Sequence, residues 1–116
     1  MITANGYSKD PSIMPEGIAI TFGKGHMKKA GGTHKFLARL ESTIEEYIWI
    51  YTLSALPKHN VIHVYFICCG RLYARANYLG HGDKPGTIEF IGPLEKPGRK
   101  IYMKGFQGFR YTTKLF

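Results

Sequence analysis

The stretch that most constrains the fold is Val61–Gly80, VIHVYFICCGRLYARANYLG. From Val61 to Cys69 nearly every side chain is β-branched, aromatic or sulfur-bearing, the composition of a largely buried strand. Gly70 follows, and a residue without a β-carbon is where such a run can turn or bulge. From Arg71 to Tyr78 the residues alternate. Leu72, Ala74, Ala76 and Tyr78 are predicted on one face, with Arg71, Tyr73, Arg75 and Asn77 on the other. Two guanidiniums, a phenol and an amide together suit phosphate contact and base stacking. The same alternation equally describes a half-buried strand whose polar face simply meets water.

Charge sets the second constraint. Sixteen Lys and Arg face eight acids among 116 residues, a net charge of +8 and an isoelectric point near 9.6. Three of the acids (Glu41, Glu45, Glu46) sit together, so the remainder is more basic still. Such an excess favours phosphate-bearing or acidic partners through attraction and counterion release. No apolar run approaches the ~18 residues of a membrane span, and residues 1–15 lack the apolar core of a signal peptide. A soluble, cytoplasmic protein is therefore expected. Its length predicts one domain over 16–116 behind an extended arm at 1–15, MITANGYSKDPSIMP. Cys68 and Cys69, adjacent on a strand, are expected to face opposite sides as reduced thiols; no zinc-ligand spacing accompanies them. No metal and no cofactor is implied.

Along the chain, Glu16–Phe22 (EGIAITF) reads as a short strand. Residues 23–35, GKGHMKKAGGTHK, carry four glycines, four lysines and two histidines. They lack the Gly-Lys-Ser/Thr triplet of a phosphate-binding P-loop. Their amides and ammonium groups can still cradle a phosphate, or form a mobile solvated loop. Phe36, Leu37, Leu40, Ile44, Tyr47 and Ile48 recur at helical spacing, predicting a helix over about 34–46 with Thr33 as its cap. A strand at His34–Leu40 is the competing reading. The pattern then changes to IWIYTLS, a β-rich run whose Trp49 is read as core. HGDKPG is a turn, Thr87–Ile91 a strand, and 92–100 a second basic loop carrying Lys96, Arg99 and Lys100. Ile101–Met103 is expected to open a last strand running through KGFQGFRYTTKLF. There Phe106 and Phe109 read as core, while Arg110 and Tyr111 stay open to a ligand role.

About six short strands, one or two helices and basic loops predict an α+β protein built on a small, strongly curved mixed β-barrel. The progression IWIYTLS, VIHVYFICCGRLYARANYLG, TIEFIGP and KIYMKGFQGFRY, within about residues 16–113, resembles the PUA-like superfamily, nearest its ASCH-type small domains. That resemblance implies a pseudo-barrel acting on RNA or on modified nucleobases. Some ASCH-type domains use Lys, Thr and Glu for amide hydrolysis. Thr33, Lys35 and Glu89 are of those types, but their spacing does not follow the family's, so no catalytic role is carried over.

The function expected is nucleic-acid binding, with RNA or single strands favoured over duplex DNA. The residues expected to carry it are Lys24, His26, Lys28, Lys29, Lys35, Arg71, Tyr73, Arg75, Arg99, Lys100 and Arg110. One alternative is a metal-independent RNA-processing or modified-nucleobase enzyme of ASCH type. Its candidates are His26 and His34 as acid and base, beside Lys24 and Lys35. No GxSxG or HExxH motif supports other chemistry, and apolar neighbours should leave Cys68 and Cys69 unreactive. A second alternative is a small inhibitor of phage or mobile-element type that binds a host protein. An acidic protein surface would suit the net charge, and the Glu41/Glu45/Glu46 patch would be its mark if it formed the contact.

Overall fold

A chain segment apolar on both sides of its pleat must be covered twice, and the computed structural model, which describes residues 15–116, shows how. In chain order the elements are β1 (Gly17–Thr21), α1 (Lys24–Lys29), α2 (Thr33–Glu46), β2 (Trp49–Thr52), β3 (His63–Cys68), β4 (Arg71–His81), β5 (Thr87–Glu95) and β6 (Phe109–Thr112). Apart from Pro15, the arm expected at 1–15 lies outside the described residues. The strands form one mixed sheet in the order β2-β5-β4-β3-β1-β6, curled into a half-barrel. Only β1 and β3 pair in parallel; the other neighbours are antiparallel. The predicted α+β class with about six curved strands and two helices is what the chain adopts.

One face of the sheet presents Ile18, Ile20, Val64, Phe66, Ala74, Ala76, Ile88 and Phe90 to the helices. Met27 of α1 and Phe36, Leu40 and Ile44 of α2 complete that core. The α2 residues recur every four positions, which puts them on one stripe. Each fully buried side chain of this size contributes roughly 1.5–3 kcal/mol. The other face presents Ala19, Tyr65, Ile67 and Leu72, covered by Ile101, Met103, Phe106, Leu115 and Phe116 from the last fifth of the chain. The curl is tied across its opening. Tyr51 of β2 donates its hydroxyl to the Thr21 carbonyl at 3.3 Å, and the Tyr111 hydroxyl accepts the Lys58 and His59 amides at 2.7 and 3.2 Å.

Several expectations are corrected. The basic segment 23–35 is not a loop: Lys24–Lys29 is helical because Met27 is buried between sheet and α2, and its carbonyl accepts the Gly32 amide at 2.8 Å. Gly31 and Gly32, with φ of 87° and 126°, make the break before α2. Thr33 is the first helical residue rather than a side-chain cap, and the competing strand at His34–Leu40 is excluded. Trp49 is half-buried, packed at the edge of the helix-side core rather than inside it. Residues 101–103 make only an isolated bridge, Arg71 to Tyr102, so the last strand is confined to Phe109–Thr112. Phe106 and Phe109 do pack against the cores, on opposite faces.

The two largest departures lie in the organising hairpin. Phe66 pairs with Ala74 and Ile67 with Leu72, so Tyr73 is an extra residue in β4, a bulge. Leu72 therefore joins the outer core, whereas Ala74 and Ala76 face the helices. Tyr73 packs on the helix side and Arg75 stands opposite Tyr65. The four polar residues of β4 do not share a face. The turn consists of Cys69 and Gly70, both at positive φ (57° and 76°), as a tight two-residue hairpin requires. That geometry takes Cys69 out of the strand and brings its sulfur to 3.2 Å from that of Cys68, so the thiols do not point apart.

Candidate nucleic-acid interface

Two pairings fix the loop that follows β5. Arg75 lies opposite Glu95, and its Nε donates to Glu95 Oε1 at 3.2 Å. Farther on, the Leu72 amide donates to the Ile101 carbonyl at 2.8 Å and the Met103 amide to the Gly70 carbonyl at 3.0 Å. Residues 96–100 (KPGRK) are thus anchored at both ends and arch over the start of β4, with Pro97 and Gly98 making the reversal. Beneath the arch is an open pocket of about 380 Å³.

Arg71, Tyr73, Lys96, Arg99 and Lys100 line it, with the Pro97–Gly98 segment and Leu72. Arg71, Arg99 and Lys100 are exposed and form no ion pair among the described residues. Lys96 holds its ammonium 5.4 Å from the Tyr73 ring centroid and 3.7 Å from Glu41 Oε2. Such an exposed pair is worth little and yields readily to a stronger anion. Four cations around a half-buried phenol form a concave positive surface with an aromatic floor. Phosphate oxygens and a stacked base are what such a surface takes.

Four of the predicted site residues (Arg71, Tyr73, Arg99 and Lys100) are therefore brought together. The others are placed elsewhere. Lys24, Lys28 and Lys29 ride on α1 and Lys35 on the first turn of α2, all exposed and none lining this pocket. His26 lies near-parallel to the Tyr51 ring at 5.7 Å, in a smaller hollow that His34 does not line. Arg110 is exposed on β6, its guanidinium 4.5 Å from the Phe106 ring centroid. Arg75 is committed inside the molecule. Besides Glu95 it binds the Phe116 carbonyl oxygen and stacks 4.6 Å from the Phe116 ring centroid.

Arg75 belongs to a second polar cluster that residue spacing did not reveal. The Glu16 carboxylate bonds to His63 Nδ1 and accepts the Tyr65 hydroxyl at 2.5 Å. The Tyr65 oxygen in turn accepts the Leu115 amide at 3.3 Å. Burial, with the Glu16 carboxylate adding to it, pushes the Tyr65 phenol up to about 12. The Arg75 hydrogen bond holds the Glu95 carboxyl below the usual carboxylate range. These groups satisfy one another and hold the 115–116 segment against the outer face, which makes the cluster a clamp. Its parallel β1–β3 pairing joins residues far apart in the chain, so no local motif announces it. Burial, then the neighbouring thiol, raises Cys68 to about 12, so it is a poor nucleophile.

Comparison with protein-family models, characterised proteins and solved structures finds no match. The resemblance to PUA-like domains therefore rests on the order of sequence patterns and a few glycines alone. Among the described residues no helix is long and apolar enough to cross a membrane.

Proposed function

We propose that this protein binds single-stranded nucleic acid, RNA above all, at the pocket beneath the 96–100 arch. The observation that carries the reading is the convergence of Arg71, Lys96, Arg99 and Lys100 around Tyr73 on a loop anchored at both ends. Anchoring supports affinity because the backbone that carries Lys96, Arg99 and Lys100 is held in place before the ligand arrives, so less ordering entropy is lost on binding. A recessed aromatic floor favours a strand whose bases are free to stack over a closed duplex.

The test is the salt dependence of binding to a labelled single-stranded RNA. Arg99→Ala/Lys100→Ala should weaken binding and flatten the plot of log K against log salt by about 1–2 units, since each lost phosphate contact in a single strand removes about 0.7. Lys84→Ala, an exposed cation outside the arch, should leave both nearly unchanged. Equal affinity and slope in wild type and the double variant overturn the proposal.

A further inference from the structure

A second hollow lies where α1, α2 and β2 meet, with a volume of about 180 Å³. Its walls are aromatic. Trp49 stands edge-on to Phe36 (centroids 6.1 Å apart, planes at 77°), and His26, held flat against Tyr51, closes another side. Its rim is cationic: Lys29 from α1 and Arg39 from α2 are exposed and form no ion pair among the described residues. Planar walls with two cations at the opening suit a flat ring carrying a phosphate outside it. The volume falls below the ~300 Å³ at which pockets for larger ligands begin, so the ring enters and the rest of the ligand stays at the mouth.

We infer that this hollow takes one nucleobase of a nucleotide, with its phosphate on Lys29 and Arg39. The nucleotide is either free or one unit of a strand whose neighbours occupy the arch, and the second case rests on the reading above. His26, with one ring nitrogen able to donate and the other to accept, meets the polar edge of the base. The imidazole then serves recognition.

Trp49 is the only tryptophan of the chain, so its indole N–H resonance is a single local reporter. The protein is titrated with each of the four nucleoside 5′-monophosphates, with a short oligouridylate, and with ribose 5-phosphate and inorganic phosphate as controls. The expected result is a saturable indole shift with at least one monophosphate and none with the controls. Lys29→Ala/Arg39→Ala should weaken that monophosphate about tenfold. An indole unmoved by every nucleotide, or moved equally by ribose 5-phosphate, overturns the inference. Oligouridylate binding that depends on Arg99 and Lys100, in a protein whose indole answers neither it nor any monophosphate, overturns the inference while sparing the arch; a still indole with oligouridylate beside a monophosphate shift leaves the hollow as a free-nucleotide site. An indole that responds to a monophosphate when no oligonucleotide binds at the arch supports the hollow as a free-nucleotide site and removes the strand reading.

Discussion

Tyr65 is fully buried, yet its hydroxyl has a partner on each side, Glu16 as acceptor and the Leu115 amide as donor. Tyr65→Phe leaves both without that oxygen, and a buried polar group stripped of its partner costs roughly 1–3 kcal/mol. Urea unfolding should show the loss. The same phenol carries a signature in alkali. Folding raises its pKa from 10.0 to about 12, so the neutral form is favoured in the native state. That contribution is complete below 10 and disappears as pH rises toward 12; wild-type stability should fall more steeply across this interval than that of Tyr65→Phe. Cys69 offers the opposite opportunity. It occupies a left-handed position (φ 57°) that a β-carbon disfavours, and asparagine tolerates it better. Cys69→Asn should therefore stabilise by about 0.5–1 kcal/mol in the same assay. None of this was legible from residue types. Nothing in CCGRLY marks Tyr73 as an extra residue, because a bulge is fixed by the partner strand's register, and strict alternation through Arg71–Tyr78 sent Tyr73 and Leu72 to the wrong faces.

At the scale of elements, α2 was readable because its apolar stripe repeats at helical spacing and a helix needs no distant partner to satisfy its backbone. Helix α1 was not. Six residues flanked by glycines have little propensity of their own, and Met27 is the sole large apolar side chain among them. Its conformation is imposed by burial of Met27 in the helix-side core and by the His26 ring against Phe22 and Phe36, surroundings that exist only once the sheet has formed. The seat of α2 on the sheet depends on another glycine. A β-carbon on Gly92 would lie 2.6 Å from the Ile44 carbonyl oxygen and 3.3 Å from the Leu94 amide nitrogen, both backbone atoms that cannot rotate away. Gly92→Ala should cost about 2 kcal/mol or more by displacing α2 from β5. Gly98→Ala meets nothing within 4 Å and should stay within about 0.5 kcal/mol of wild type, so thermal denaturation of the pair isolates the packing effect.

For the whole molecule, composition and strand count were enough to reach a small curved α+β sheet, but not the partners of each strand. Local sequence carries strand character; pairing is a property of residues brought together from across the chain. The arch shows the difference: its cations were visible as a basic loop, while their convergence on Arg71 and Tyr73 needed the Leu72–Ile101 contact. The clamp adds an acid limit. Because Arg75 depresses the Glu95 pKa, its contribution is complete above the ordinary carboxylate value and is lost as pH falls through the lowered one; Glu95→Gln should flatten that part of an acid-unfolding profile. The placement of β1 reaches further, into the order of assembly. Gly17 pairs with His63 on one side and Thr112 on the other, so the first strand of this sheet to be made waits for the last. Closing so long a loop is slow, which puts folding in the millisecond-to-second range rather than among fast helical proteins. A nascent chain halted before Phe109 exposes the unpaired edge of a strand carrying Ile18 and Ile20, the template on which neighbouring chains add. For this sheet, the arrival of β6 and protection from aggregation are the same event.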